Sequence, residues 1–371
     1  MTPIQIQVDA EEFWPSLQDD IRSAKNYVYL QTMSFEGDSV GQGLAQELTG
    51  SKARDRRVVA DEFYTVHRIN DNFLHSPKHW FDKGIRDERD ATFDMHKQLE
   101  KAGVGVLLTN PSGPIVVNFL RRNHKKLVVI DDRITYIGGL NFTEHNFAWH
   151  DMMLRIENPE LTRFLKEDFL STWEGQHSNT SKKFGDIELY RFDGYTNRKT
   201  YQPLLDLMAQ AKKSIYIVSP YIAYPFYEPL RTAIGNGAKV VLLAPDNNNW
   251  RTMREYMIWE SVRAGVDLQM YKGRMVHLKA MLIDDEYLVA GSSNFDFISS
   301  ELMQEIVAVI TDKQAIADFK TRILDVDLKQ TVPNKERISA ARGLYHISRL
   351  KLMPILVGAL ERILTPGRRH Q

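Results

Sequence analysis

The stretch Asn123-His124-Lys125-Lys126-Leu127-Val128-Val129-Ile130-Asp131 is answered far downstream by Val276-His277-Leu278-Lys279-Ala280-Met281-Leu282-Ile283-Asp284. Each copy runs on to a glycine step and an asparagine: Gly138-Gly139-Leu140-Asn141 in the first, Gly291-Ser292-Ser293-Asn294 in the second. The alternation places His124 and Lys126 on one face of a strand. Asp131-Asp132 marks a turn, and Thr135-Tyr136-Ile137 begins a return strand. The second copy reads the same way, with Asp284-Asp285-Glu286 as its turn. Each copy therefore predicts a strand–turn–strand hairpin. Gly138 and Gly139 are expected to let the backbone pass close beneath a ligand, and Ser292 and Ser293 to add hydroxyl donors there.

Two such copies brought face to face suit the breaking of a phosphodiester. The non-bridging oxygens of a phosphodiester repel nucleophiles, and Lys126, Lys279, Asn141 and Asn294 would offset that charge as the transition state forms. An imidazole titrates near neutrality, so one of His124 and His277 can attack phosphorus while the other protonates the leaving alkoxide. The cationic side chains take the part a metal would have, so the expectation is no metal and no cofactor. Each imidazole needs a partner on its far nitrogen to fix its tautomer. Asp151, 27 residues after His124, and Glu305, 28 after His277, at the start of the apolar strands Met152-Met153-Leu154 and Ile306-Val307-Ala308-Val309, are expected to be these orienting carboxylates. Asp131 and Asp284 belong to the same motif and close their strands, as turn or hydrogen-bonding supports rather than proton carriers.

The repetition extends beyond the motifs. Ser23-Ala24-Lys25-Asn26-Tyr27-Val28-Tyr29-Leu30 is similar to Gln210-Ala211-Lys212-Lys213-Ser214-Ile215-Tyr216-Ile217, a helix end followed by a strand. Lys101-Ala102-Gly103-Val104 is similar to Arg263-Ala264-Gly265-Val266, a helix end with a glycine cap. These anchors predict helix, strand, helix, strand, helix, strand ahead of each hairpin, hence α/β with a mixed sheet covered on both faces.

The duplicated His-Lys-Asp motif resembles that of the phospholipase D superfamily, over most of residues 5–310. Within it, Asn123–Asp131, Ile137–Asn141, Gly291–Asp296, Arg263–Val266 and Ser219-Pro220-Tyr221 most resemble bacterial cardiolipin synthases. The resemblance implies two similar phospholipase D-like domains related by a pseudo-two-fold axis, each a mixed sheet flanked by helices. They are expected at residues 1–175 and 183–330, joined by a polar linker between Gly175 and Lys183. It implies a phosphatidyltransferase that forms cardiolipin from phosphatidylglycerol through a phosphohistidine, with His124 attacking and His277 serving as acid and base. The symmetry of the pair leaves the reverse assignment open. A phospholipase D hydrolase, a phosphatidylserine-synthase-like enzyme and a nucleic-acid phosphodiesterase share the same chemistry. The chain departs from the family at Ile298-Ser299, where Arg-Ser is frequent, and at Met303, where an Asn is frequent; these bear on substrate choice.

The 371 residues suffice for two ordinary domains. Lys+Arg and Asp+Glu both number 48, and this neutral balance argues against a nucleic-acid partner, which calls for clustered basic groups. The absence of cysteine excludes a disulfide framework. The start of the sequence shows no basic segment followed by a long apolar run, so no signal peptide is expected. No stretch reaches the ~20 apolar residues of a membrane-spanning helix.

Two insertions lack counterparts in the second half. Residues 62–94 carry Tyr64, Phe73, Trp80, Phe81 and the pair His75 and His79, which Pro77 separates, so a lid or surface loop rather than a metal site is expected. Residues 110–122 include an apolar run, Ile115-Val116-Val117, suited to an acyl chain or to burial. The tail 335–371 holds eight Lys/Arg against two Glu, with Leu344, Ile347, Leu350, Leu352, Ile355 and Leu356 near helical spacing. Such a basic amphipathic segment either lies on an anionic membrane or packs on the protein. The phospholipid reading thus implies a cytoplasmic protein, peripheral on the inner face of the cell membrane.

Overall fold

The computed structural model describes residues 2–69, 81–111, 121–346, 348, 350 and 352. The first half builds a seven-stranded sheet from β1 (Ile4–Val8), β2 (Tyr27–Thr32), β3 (Asp55–Asp61), β4 (Gly105–Thr109), β5 (Leu127–Ile130), β6 (Ile134–Gly138) and β7 (Met152–Glu157), in the order β1-β7-β6-β5-β2-β3-β4. The second half builds a nine-stranded sheet from β8 (Thr180–Phe184), β9 (Ile187–Asp193), β10 (Ser214–Val218), β11 (Lys239–Pro245), β12 (Asp267–Tyr271), β13 (Ala280–Ile283), β14 (Tyr287–Gly291), β15 (Gln304–Ile310) and β16 (Thr331–Pro333). Its order is β16-β12-β11-β10-β13-β14-β15-β9-β8.

The predicted alternation holds in both halves. Helices α1 (Asp9–Ser23), α2 (Ser39–Gly50) and α3 (Lys83–Lys101) interleave with β2, β3 and β4. After α4 (Glu144–Phe147) and α5 (Pro159–Trp173), the second half repeats the pattern: α6 (Asn197–Ala209), α7 (Tyr227–Gly235) and α8 (Arg251–Ala264) interleave with β10, β11 and β12. Strands β2–β3–β4 and β10–β11–β12 run parallel, while each motif hairpin adds antiparallel strands, so both sheets are mixed.

Local chemistry sets the boundaries. Asp38 caps α2 by accepting from the Gly41 N–H, Asp82 caps α3 from Ile85 N–H, and Asn158 caps α5 from Glu160 and Leu161 N–H with Pro159 at the first helical position. Gly265 ends α8 at φ 76°, a conformation glycine adopts without penalty.

One hydrophobic core crosses the boundary between the halves. Leu127, Val129, Ile137 and Leu154 of the first sheet share it with Ala280, Leu282 and Ile306 of the second, together with Leu278 just before β13, Leu165 and Phe169 of α5 and Phe319 of α9 (Lys313–Phe319). The outer faces are closed separately, by α1–α3 on one side and α6–α8 on the other. Each fully buried Leu, Ile or Phe contributes roughly 1.5–3 kcal/mol, so the shared core holds the halves in one arrangement.

Three expectations need adjustment. His124 and Lys126 do not lie within a strand: β5 starts at Leu127 and β13 at Ala280. At the histidines the chain leaves its own sheet to pair across the boundary, through the bridges Asn123↔Gln304 and His150↔Val276. Strand β8 begins at Thr180, inside the stretch expected to be linker. The first-half insertion is shorter than expected, because α3 starts at Lys83 and matches α8. His75, His79, Phe73 and Trp80, and the apolar run 115–117, lie outside the described residues.

The turn aspartates are placed at the end of each hairpin remote from the histidines. Asp131 and Asp132 have φ of 53° and 47°, and Asp284 and Asp285 have 55° and 60°. This left-handed region is one that Asp tolerates better than most residues. The Asp131 carboxylate accepts from the N–H of Lys25 (2.7 Å), Asn26 (2.8 Å) and Tyr27 (2.8 Å), where the chain enters β2. Asp284 does the same for Lys212, Lys213 and Ser214 at the entry to β10. Their place is architectural, joining each hairpin to its neighbouring parallel strand. Asp131→Ala or Asp284→Ala is expected to lower unfolding free energy by about 2–4 kcal/mol, the loss of several charge-assisted bonds. Turnover per folded molecule should stay near that of the parent; chemical denaturation alongside an active-site titration measures both.

Candidate active site

The bridges at the boundary set the two histidines. His124 N–H donates to Gln304 O (3.0 Å), and His277 N–H donates to His150 O (2.7 Å). Residues 124 and 277 occupy matching places in the two halves, and so do 150 and 304. The next residue along each bridging partner supplies the carboxylate. His124 Nδ1 lies 2.7 Å from Glu305 Oε1, and His277 Nδ1 lies 2.7 Å from Asp151 Oδ2. The pairing is crossed: each imidazole is held by the carboxylate of the other half. Engaging Nδ1 leaves Nε2 as the reactive nitrogen of His124, whereas Lys279 Nζ approaches both ring nitrogens of His277, Nδ1 at 2.7 Å and Nε2 at 2.9 Å.

The lysines face the same centre. Lys126 Nζ donates to His124 O (2.8 Å). Lys279 Nζ bonds His277 O, lies 2.9 Å from His277 Nε2, and is 3.9 Å from Asp151 Oδ2. Both lysines and both histidines are buried. Burial pushes the Lys279 ammonium down to about 8 and Lys126 well below the usual lysine range, with Glu305 and Asp151 opposing. Burial likewise lowers His124 to about 4 against the pull of Glu305, so its imidazole is neutral at physiological pH.

The two carboxylates differ. Burial would raise the Glu305 carboxyl, but His124, Lys126 and Ser292 outweigh it and hold it below the ordinary value. Ser292 Oγ donates to Glu305 Oε2 and accepts from Ile306 N–H (3.0 Å). At the matching place in the first half stands Gly139, where a Cβ would fall 2.2 Å from Asp151 Oδ1. Asp151 therefore has no hydroxyl partner there, and burial lifts its carboxyl to about 6 despite Lys279 and the Met152 N–H.

The remaining motif residues support these groups. A Cβ on Gly138 would sit 2.3 Å from Met152 O, and one on Gly291 would sit 2.2 Å from Ile306 O. What the glycine steps accommodate here is the neighbouring strand and, at Gly139, a carboxylate. Ser293 Oγ shares a hydrogen bond with Tyr201 OH (2.9 Å). Asn141 accepts from Thr32 Oγ1 (3.2 Å) and donates from Nδ2 to Asn146 Oδ1 (2.7 Å). Asn294 is also buried, and its Oδ1 has no donor among the described residues. A buried acceptor without a partner is costly, and this one is available to a ligand hydroxyl.

The motif reading passes over His150. Its Nδ1 lies 2.7 Å from Asp9 Oδ1 and its Nε2 3.1 Å from Asp327 Oδ2, and its ring stacks on Tyr271. Burial opposes the charge, but the two carboxylates dominate and raise His150 to about 10. Asp9, at φ 61°, also accepts from Asp151 N–H (2.9 Å) and pairs with Arg274. This clasp ties the start of α1 to α10 (Asp325–Lys329) and fixes the backbone that presents Asp151. Elsewhere, Glu36, Asp38 and Glu88 bring carboxylate oxygens within 4.8 Å of one another, the one such group among the described residues that offers a metal ion ligands; none belongs to the His–carboxylate pairs.

A duplicated mixed-sheet fold with two His-Lys sets converging at the boundary between its halves defines the phospholipase D-like class. The match to the family described as "Cardiolipin synthase, PLD-like domain" covers residues 17–173 and 204–325, and the chain belongs to that family. Among curated relatives it is 26% identical to cardiolipin synthase 2 of Staphylococcus epidermidis over 363 residues, spanning 90% of this chain and 70% of the relative. It is 26% identical to cardiolipin synthase B of Salmonella typhi over 391 residues, spanning 96% and 90%. In fold it is similar to the phosphatidylserine synthase of Haemophilus influenzae, with TM-score 0.65, 16% identity, and coverage of 96% of this chain and 94% of that one. It is also similar in fold to polyphosphate kinase from Porphyromonas gingivalis, with TM-score 0.60, 11% identity, and coverage of 96% and 53%.

The carboxylate asymmetry is measurable. Asp151 is raised in the folded state, so its contribution favours folding below about pH 4 and is lost as pH rises through about 6. At pH 8 its ionised form costs roughly 3 kcal/mol, two pKa units' worth. Asp151→Asn is therefore expected to raise the melting temperature at pH 8, with the gain vanishing below pH 4. Glu305 is lowered, so its contribution is present above its ordinary pKa and lost on acidification. Glu305→Gln should accordingly lower the melting temperature at pH 8. Both variants should lose turnover by on the order of 100-fold or more; calorimetry across pH with parallel assays checks the pair.

Proposed function

We propose that the protein is a phosphatidyltransferase that forms cardiolipin and glycerol from two phosphatidylglycerol molecules, through a phosphohistidine on His124. The crossed His–carboxylate pairs carry this reading, because they give two oriented imidazoles, each on a carboxylate of different setting, at one buried site. A neutral His124 held through Nδ1 by Glu305 is ready to attack phosphorus from Nε2. The P–O bond to the glycerol headgroup breaks, and His277 gives its proton to the departing alkoxide. The terminal hydroxyl of a second phosphatidylglycerol then passes its proton to His277, its oxygen bonds phosphorus, and the bond to His124 breaks. The catalytic set in this scheme is His124, Lys126, Asn141, His277, Lys279 and Asn294, with Asp151 and Glu305 orienting. An arriving phosphodiester anion favours the charged forms of Lys126 and Lys279, so the positive charge is recruited where substrate binds. We take residues 1–175 and 183–330 as the two halves of the enzyme and 335–371 as a tail. Family membership and the curated relatives support cardiolipin synthesis over other acceptors.

The proposal includes a membrane-facing tail. The described part of the tail helix packs on α8: His346 Nε2 lies 2.7 Å from Glu255 Oε2, Arg342 pairs with Glu255 Oε1 (2.6 Å), Gly343 lies against Trp259, and Leu350 is buried in the core of the second half. The opposite face leaves Leu344 56%, Tyr345 56% and Leu352 51% exposed, between basic residues. One face is thus structural, and the other suits the surface of an anionic leaflet, on the inner side of the cell membrane. No helix among the described residues is long and apolar enough to cross a membrane.

Two experiments test this. His124→Ala and His277→Ala should each abolish conversion of phosphatidylglycerol vesicles to cardiolipin, by 10³-fold or more on the order of a lost general acid or nucleophile. Parent-level turnover in either variant would refute the two-histidine scheme, and turnover of single-stranded DNA instead of lipid would redirect the assignment. The double variant Leu344→Glu, Leu352→Glu should keep its melting temperature but sediment less with anionic liposomes. Unchanged sedimentation would show that this face does not meet the bilayer.

A further inference from the structure

The residue two places before each orienting carboxylate breaks the pseudo-symmetry. In the second half it is Met303, which joins a buried apolar cluster with Met33, Phe297, Ile298 and Leu302. In the first half it is Trp149, whose ring centroid lies 4.8 Å from that of His277, tilted by 53°. His145 also meets the indole, edge-on at 5.3 Å. The segment that seats the indole is braced: Thr143 caps α4, Trp149 N–H donates to Asn146 O (3.2 Å), and Asn146 Oδ1 accepts from Asn141 Nδ2. His277 is buried while Trp149 is only half-buried, so the indole forms part of the wall between this imidazole and bulk solvent.

The position matters for the second half of the proposed reaction. Water and a lipid alcohol compete for the phosphohistidine. Either gives its proton to His277 and bonds phosphorus as the His124–phosphorus bond breaks. The alcohol yields cardiolipin, and water yields phosphatidic acid. An aromatic face beside the imidazole offers a poor hydrogen-bonding seat to a small polar molecule, yet tolerates the apolar body of a lipid. We propose that Trp149 is a specificity-determining residue, whose indole against His277 denies water the acceptor position and so directs the enzyme to transfer rather than hydrolysis. This rests on the phosphatidyltransferase reading above.

The test uses the full chain, phosphatidylglycerol vesicles, and three product measurements: glycerol released, cardiolipin and phosphatidic acid. Glycerol reports the first half-reaction, so the ratio of phosphatidic acid to cardiolipin is read per glycerol released and a general slowing cancels. Trp149→Ala should raise that ratio on the order of tenfold, the scale on which an apolar contact discriminates substrates, and Trp149→Phe should return it most of the way to the parent. An unchanged ratio in Trp149→Ala, with glycerol still released, overturns the proposal. Loss of glycerol release in both variants also overturns it, because the indole would then serve the first step. A parent enzyme that releases no glycerol from these vesicles would instead sink the phosphatidyltransferase reading itself, a separable failure.

Discussion

Everything at the centre of this molecule depends on two short hydrogen bonds that cross from one half to the other. Each catalytic candidate imidazole comes from one half and its orienting carboxylate from the other, at 2.7 Å in both cases. Neither half alone supplies the carboxylate that holds its motif histidine. The continuous core beneath, from Leu127 and Leu154 through to Leu282 and Ile306, is what keeps the partners in register. Packing energy spent on docking the halves is thereby converted into orientation at the site, where misplacement of an acid or base by an ångström is costly.

The halves repeat one another closely in backbone and diverge in chemistry. Gly139 and Ser292 occupy matching places, yet one makes room for a carboxylate and the other donates a hydroxyl to it. His150 and Gln304 make matching backbone bridges, yet only His150 is a buried cation with two acidic partners. These few differences give the two orienting carboxylates unlike settings, Glu305 lowered and Asp151 raised.

Much of this architecture was legible in the sequence. The helix–strand alternation, both hairpins and the duplicated fold followed from periodicity, the turn aspartates and the matched helix ends. Asp151 and Glu305 were recognisable as carboxylates at the heads of apolar strands. Their crossed assignment was not, because spacing along the chain favours the carboxylate of the same half, whereas the choice is made by a tertiary bridge. The same bridge explains why His124 and His277 precede their strands although the alternation reads as continuous. His150 carried no motif, since its partners Asp9 and Asp327 lie at remote ends of the chain and meet only in the fold. Strands β1 and β9 carry no such signal for a related reason: each is added antiparallel beyond β7 or β15 by tertiary contact, β1 as the sheet edge and β9 with β8 outside it.

The crossed geometry also bears on how such a site responds to dilution. Two separate copies of one half could in principle complement each other's histidines, but only at concentrations that sustain the pair. Here the stretch between α5 and β8 is a tether, and it replaces a bimolecular encounter with an effective concentration set by a few residues of chain. Stoichiometry becomes one composite centre per polypeptide, intact at any protein level. Each lobe is then free to accumulate substitutions, such as tryptophan facing one ring and methionine in the other lobe, that a symmetric dimer would be forced to carry twice.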